Sequence, residues 1–122
     1  MKKVILSFLF ATCCVTMNAQ TTIDRTTIKN SPGQVIEFSA EEIKLLKENF
    51  NQISESQAKF LFQLFEIKYT ALSKDLTEKE LIELTDSMKA RTRVVLGDDL
   101  YLEISQNQEL FYRMTGLAYL GK

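Results

Sequence analysis

Histidine is absent from the 122-residue chain, and its two cysteines, Cys13 and Cys14, stand side by side near the N-terminus. Without imidazole there is no histidine-based general acid or base, and soft metal sites lose their commonest nitrogen ligand. Glycine is also sparse: Gly33, Gly97, Gly116 and Gly121 lie far apart, so no glycine-rich phosphate loop exists. A single proline, Pro32, interrupts the chain. Charge of one sign is missing too, with 15 Lys and Arg against 16 Asp and Glu. A protein that holds nucleic acid needs cations in excess to neutralise phosphates, and this chain has none in excess.

The first twenty residues, MKKVILSFLFATCCVTMNAQ, have their own logic. Lys2 and Lys3 open the segment, an apolar run occupies residues 4–15, and small Ala19 stands near the end. That is the order of a secretory signal peptide, and the run is shorter than the roughly 20 residues that a spanning helix needs. Residues 1–20 are therefore expected to be removed on export, near Ala19 or Gln20. The sequence FATCC lacks the small residue that precedes an acylated cysteine, so a lipid anchor at Cys13 or Cys14 is not expected. The mature chain then has no cysteine, and its fold rests on its core alone. Taking Lys2 and Lys3 from the 15 cations leaves 13 against 16 acids, a net charge near −3.

Residues 21–38, TTIDRTTIKNSPGQVIEF, are rich in Thr, Asn, Ser, Pro and Gly and read as an extended arm with a turn at 31–33. Residues 39–122 read as the helical domain. Ser39 with Glu42 three residues later forms a capping-box pattern. Beyond it, Ile43, Leu46, Phe50, Ile53, Gln57 and Phe60, then Leu64, Ile67 and Ala71, follow 3-4 spacing. The pattern predicts one heptad-patterned helix over 40–73, about 50 Å long, or one kinked near 52–57.

Within that helix lies AKFLFQLFEIKYTAL, the least polar part of the mature chain. Phe60, Leu64 and Ile67 belong to the heptad stripe. Phe62, Phe65, Tyr69 and Leu72 make a second stripe at i, i+3, i+7 and i+10. A helix that is apolar on two sides needs partners on both. Two readings stand for the second stripe. In one, Phe62, Phe65, Tyr69 and Leu72 bind another protein surface, beside charges such as Lys59, Glu66 and Lys68. In the other, the C-terminal segment with Leu110, Phe111, Met114 and Leu117 folds back and covers them.

Thr77 and Glu80 form another capping box, opening a helix with Leu81, Leu84, Met88 and Val95 on one side and Gly97 at its end. Arg91 and Arg93 near its end complement the helix dipole. LYLEIS after Asp98 and Asp99 is expected to be helical, and Asn107 to cap QELFYRMTGLAYL, ending at Gly121. The architecture is thus all-α, an elongated helical bundle or hairpin built on one long helix. Asp98, Asp99 and Glu103 are the only carboxylate group worth weighing as a hard-cation or catalytic site; without EF-hand spacing they read as an acidic helix start. No catalytic residue, metal ligand or cofactor is expected.

The phrases FSAEEIKLL (Phe38, Ser39, Glu42) and LTEKELIEL (Leu76, Thr77, Glu80) resemble the repeated L-T-x-x-Q signature of the Spy/CpxP-like exported helical proteins. Here Glu replaces Gln, and the chain is mildly acidic where the cradles of that group are basic. The resemblance implies a periplasmic or extracellular protein that binds unfolded clients as a chaperone or envelope-stress protein. The alternative is a structural or interaction subunit of an exported or cell-envelope assembly. Either way the expected partner is a protein, or a second copy, and not nucleic acid or a membrane span.

Overall fold

The computed structural model describes residues 24–120. They form six α-helices: α1 (Arg25–Asn30), α2 (Val35–Asn49), α3 (Glu55–Leu72), α4 (Glu78–Leu96), α5 (Asp98–Ser105) and α6 (Gln108–Thr115). Short 3₁₀ turns occupy Pro32–Gln34 and Leu117–Tyr119, and no strand occurs among the described residues. The all-α class holds. The signal-like residues 1–20 and Gly121 lie outside the described residues.

The single long helix does not form. It breaks at residues 50–54, and α2 and α3 fold against each other as a pair. Phe50 closes α2 through its N–H to the Leu46 carbonyl. Ser54 then opens α3: its hydroxyl accepts from the Gln57 N–H, and the Gln57 side chain accepts from the Ser54 N–H. This capping box satisfies two N–H groups that a new helix leaves orphaned. The signal is written in sequence as SESQ. Gln57, the lone polar residue in the heptad run, thus marks a helix start. Its amide also donates to the Val95 carbonyl at 3.3 Å, tying α3 to α4.

Residues 24–38 are not extended. Asp24 caps α1 by accepting from the Thr27 N–H, and α2 already starts at Val35. The expected cap, Ser39, lies inside α2, where its hydroxyl donates back to the Val35 carbonyl. The turn at 31–33 survives as the break between α1 and α2. Arg25 gives the arm its place: Nε donates to the Leu72 carbonyl at 2.8 Å and a terminal nitrogen to the Lys74 carbonyl at 2.6 Å. A cation so placed answers the free carbonyls at the end of α3.

Thr77 and Glu80 make the expected capping box of α4, and Asn107 accepts from the Leu110 N–H at the start of α6. LYLEIS is helical, within α5. α6 ends earlier than the pattern suggests. Gly116 adopts φ 93°, the left-handed conformation that glycine takes without strain, and a 3₁₀ turn follows.

α3 is the central element. Its inward residues Ala58, Leu61, Phe65, Tyr69 and Leu72 are buried. α2 contributes Phe38 and Leu46 to the core, α4 adds Met88, and α6 adds Leu110 and Met114. Ile28 of α1 and Ile104 of α5 join the core and are wholly buried.

Candidate protein-binding face

The two stripes on α3 exchange the roles that their spacing predicts. Phe65, Tyr69 and Leu72 have no exposed surface, and Phe62 is half-buried. Phe65, Tyr69 and Leu72 cannot present a docking surface while the chain stays folded, because they are wholly buried. Two contacts show the cover: the Phe38 ring lies 5.6 Å from the Tyr69 ring, and Lys68 Nζ reaches the Arg113 carbonyl at 2.7 Å. The fold-back of the C-terminal segment is the arrangement found.

Lys68 is the unexpected member of that interior. The sequence places it among flanking charges with Lys59 and Glu66, yet it is completely buried, as is Glu42. Nζ lies 2.7 Å from Glu42 Oε1, and the Met114 carbonyl at 3.4 Å is a further acceptor. The Tyr69 hydroxyl donates to the same Glu42 oxygen at 2.6 Å. Nζ also sits 4.5 Å from the centroids of both the Phe65 and Tyr69 rings, a cation–π position. Burial pushes the Lys68 ammonium below its ordinary pKa, against the pull of Glu42. Burial, reinforced by Glu42, raises the Tyr69 phenol well above its usual value, and the Tyr119 phenol is pushed up to about 12 by the same causes. Sequence pattern hinted at Lys68 only in that it falls next to Tyr69, on the inward side of α3. The ammonium has three acceptors around it and is sealed from solvent, so it is a structural tie between α2, α3 and α6 rather than a nucleophile.

What α3 shows to solvent is the heptad stripe. Phe60 is 55% exposed and Ile67 52%, so neither belongs to the core that the spacing predicts. The physical reason is the break at 50–54: it reverses the chain and turns a different face of α3 toward α2. Leu64 is half-buried beside them. Across from this stripe stands α4, whose Val94 is 83% exposed. Together Phe60, Leu64 and Ile67 with Ala90, Val94 and Val95 line a groove of about 450 Å³, with Gln63 and Arg91 at its edges. A second concavity, toward the C-terminal end of α3, is lined by Glu66, Thr70, Ala71 and Lys74, and shares Gln63 and Ile67 with the first. The two meet at Gln63 and Ile67 on the outer side of α3.

The remaining carboxylates are dispersed. Asp98 accepts from Arg93 at 2.7 Å, and Glu103 accepts from the Gln52 amide at 3.1 Å. The Arg93 guanidinium holds the Asp98 carboxyl below its usual range. Among the described residues no three of Asp, Glu, His or Cys gather where a metal ion would sit. No helix among them is long and apolar enough to cross a membrane. No family model matches the chain, and neither a curated protein nor a solved structure does.

Proposed function

We propose that the protein is an exported, non-enzymatic interaction subunit that binds protein through the outer face of α3 and α4. The observation that carries this is the joint exposure of Phe60, Ile67 and Val94 on two adjacent, well-capped helices. Contiguous apolar surface of this kind is costly in water and is a mark of binding sites. Export rests on the signal-like order of residues 1–20.

The same open face also suits a chaperone of the kind implied by the Spy/CpxP resemblance, which needs apolar surface displayed by a stable scaffold. A photo-crosslinking residue at position 94 of the full chain, expressed in the exporting cell, tests the function. Protein adducts are expected from position 94 and not from position 36, which is similarly exposed but away from the groove. One adduct mass points to a subunit and a broad spread to a holdase. Absence of any adduct from position 94 would remove the proposal.

A further inference from the structure

On the footing that the α3–α4 face binds protein, the same chain holds a segment suited to covering that face. Ser56, Phe60, Gln63, Ile67 and Thr70 follow one another along the outer side of α3, and all are exposed. None is charged, although a solvent-facing helix normally carries charges on its outer side. An occupant of such a surface must itself be uncharged, because a charge buried without a partner is costly. The longest run of the sequence without a charged residue lies at 4–23, between Lys3 and Asp24. Its first part, residues 4–15, is the apolar run VILSFLFATCCV.

The place where the chain enters the fold brings that run within reach. Arg25 is tied to the end of α3 by its bonds to the Leu72 and Lys74 carbonyls. Lys74 itself lines the second concavity, which meets the α3–α4 groove at Gln63 and Ile67. Residues 16–23 number eight and span up to roughly 27 Å when extended. That is enough to round a helix, whose diameter is about 10 Å. From Ala71 back to Phe60 the outer side of α3 measures about 17 Å, and twelve residues in helical form measure about 18 Å.

From this match of length, charge and entry point we propose that, in the uncut chain, residues 4–15 lie along the outer side of α3 and cover the α3–α4 groove. Their removal on export then uncovers the binding face. The face is hidden before the chain leaves the cell that makes it and displayed afterwards. A tether this short holds the segment at an effective concentration in the millimolar range, so weak apolar contact suffices. Weak contact also lets the segment go to the machinery that exports and cuts the chain. Lys2 and Lys3 precede the apolar run and stay in water.

Disulfide trapping tests this in the full 122-residue chain, made by cell-free synthesis without membranes so that it stays uncut. Cys14→Ser leaves Cys13 as the single thiol of the segment, and Thr70→Cys sets a second on the exposed side of α3. Diamide oxidises the two thiols to one disulfide and takes up their two hydrogens. An intrachain bond from Cys13 to position 70, read by mass spectrometry without reductant, should form about tenfold faster than one to Ile36→Cys. Position 36 is 58% exposed and lies away from the groove. Leu9→Lys, which puts a charge into the apolar run, should slow the bond to position 70 to the rate of that control, with circular dichroism unchanged. Equal rates from positions 70 and 36, or a rate indifferent to Leu9→Lys, would overturn the cover. Protein adducts from position 94 in the exporting cell would then still uphold the binding face, so the two failures are told apart.

Discussion

Lys68 Nζ and Glu42 Oε1 lie 2.7 Å apart with both side chains withdrawn from solvent, joining α3 to α2 at the centre of the molecule. Desolvation makes such a pair a poor source of net stability, but removing one partner strands the other. Lys68→Met should therefore cost about 3–5 kcal/mol in urea unfolding. Adding Glu42→Leu to it should recover part of that loss. A double variant no more stable than Lys68→Met alone would show that the carboxylate is not what the single change strands.

Phe60 and Phe65 are five residues apart on α3 and face opposite ways. Phe65→Ala removes a wholly buried ring and should cost about 3–5 kcal/mol. Phe60→Ala removes one that is 55% exposed and should stay within about 1 kcal/mol for the isolated chain. Equal shifts in the urea midpoint would contradict the orientation of α3.

The alkaline side of the stability curve should be set by tyrosine. Tyr69 and Tyr119 have folded pKa values above the ordinary 10, that of Tyr119 about 12. A group whose pKa is raised by folding keeps its contribution below the unfolded value and loses it as pH rises through the folded one. Stability should thus fall between about pH 10 and 12. Lys68 acts in the opposite sense, because burial lowers its pKa and its penalty is relieved as it loses its proton. Tyrosinate absorbance followed together with circular dichroism checks this. Full ionisation of all four tyrosines with the helices intact would contradict it.

Gly116 should resist substitution for conformational reasons. Its φ of 93° is open to glycine, and an added Cβ would meet Thr85 Oγ1 at an ordinary 3.5 Å. The cost of Gly116→Ala is therefore backbone strain rather than collision, on the order of 1–2 kcal/mol. Gly33→Ala, with open space and no positive φ, should be nearly neutral by thermal unfolding.

Much of the scaffold was legible. The Thr77–Glu80 box, the Asn107 cap and the helical reading of LYLEIS follow from local chemistry, which short-range spacing records faithfully. Helix continuity across 50–54 was not. Ile53 and Gln57 fit the 3-4 register, yet the SESQ cap is itself a start signal, and long-range packing of α2 on α3 decided between them. Which stripe of α3 faces solvent was not legible for the same reason. Once α2 folds back, the stripe with Phe65 and Tyr69 turns inward and the one with Phe60 and Ile67 turns outward, a choice that periodicity alone cannot make. Glu42 and Lys68 were hidden because 26 residues separate them and each looks like ordinary surface charge.

A helix can roll about its own axis unless something forbids it. In α3 the sealed salt bridge is carried by Lys68, about 100° round the helix from Ile67, so the interior pair acts as a keyway for the exterior. Rolling α3 to retract Ile67 would tear Lys68 from Glu42, and inserting one residue before Lys68 would swing it by about 100°. The angle at which the outer strip faces solvent is thus held from within, by two charges that never reach the surface.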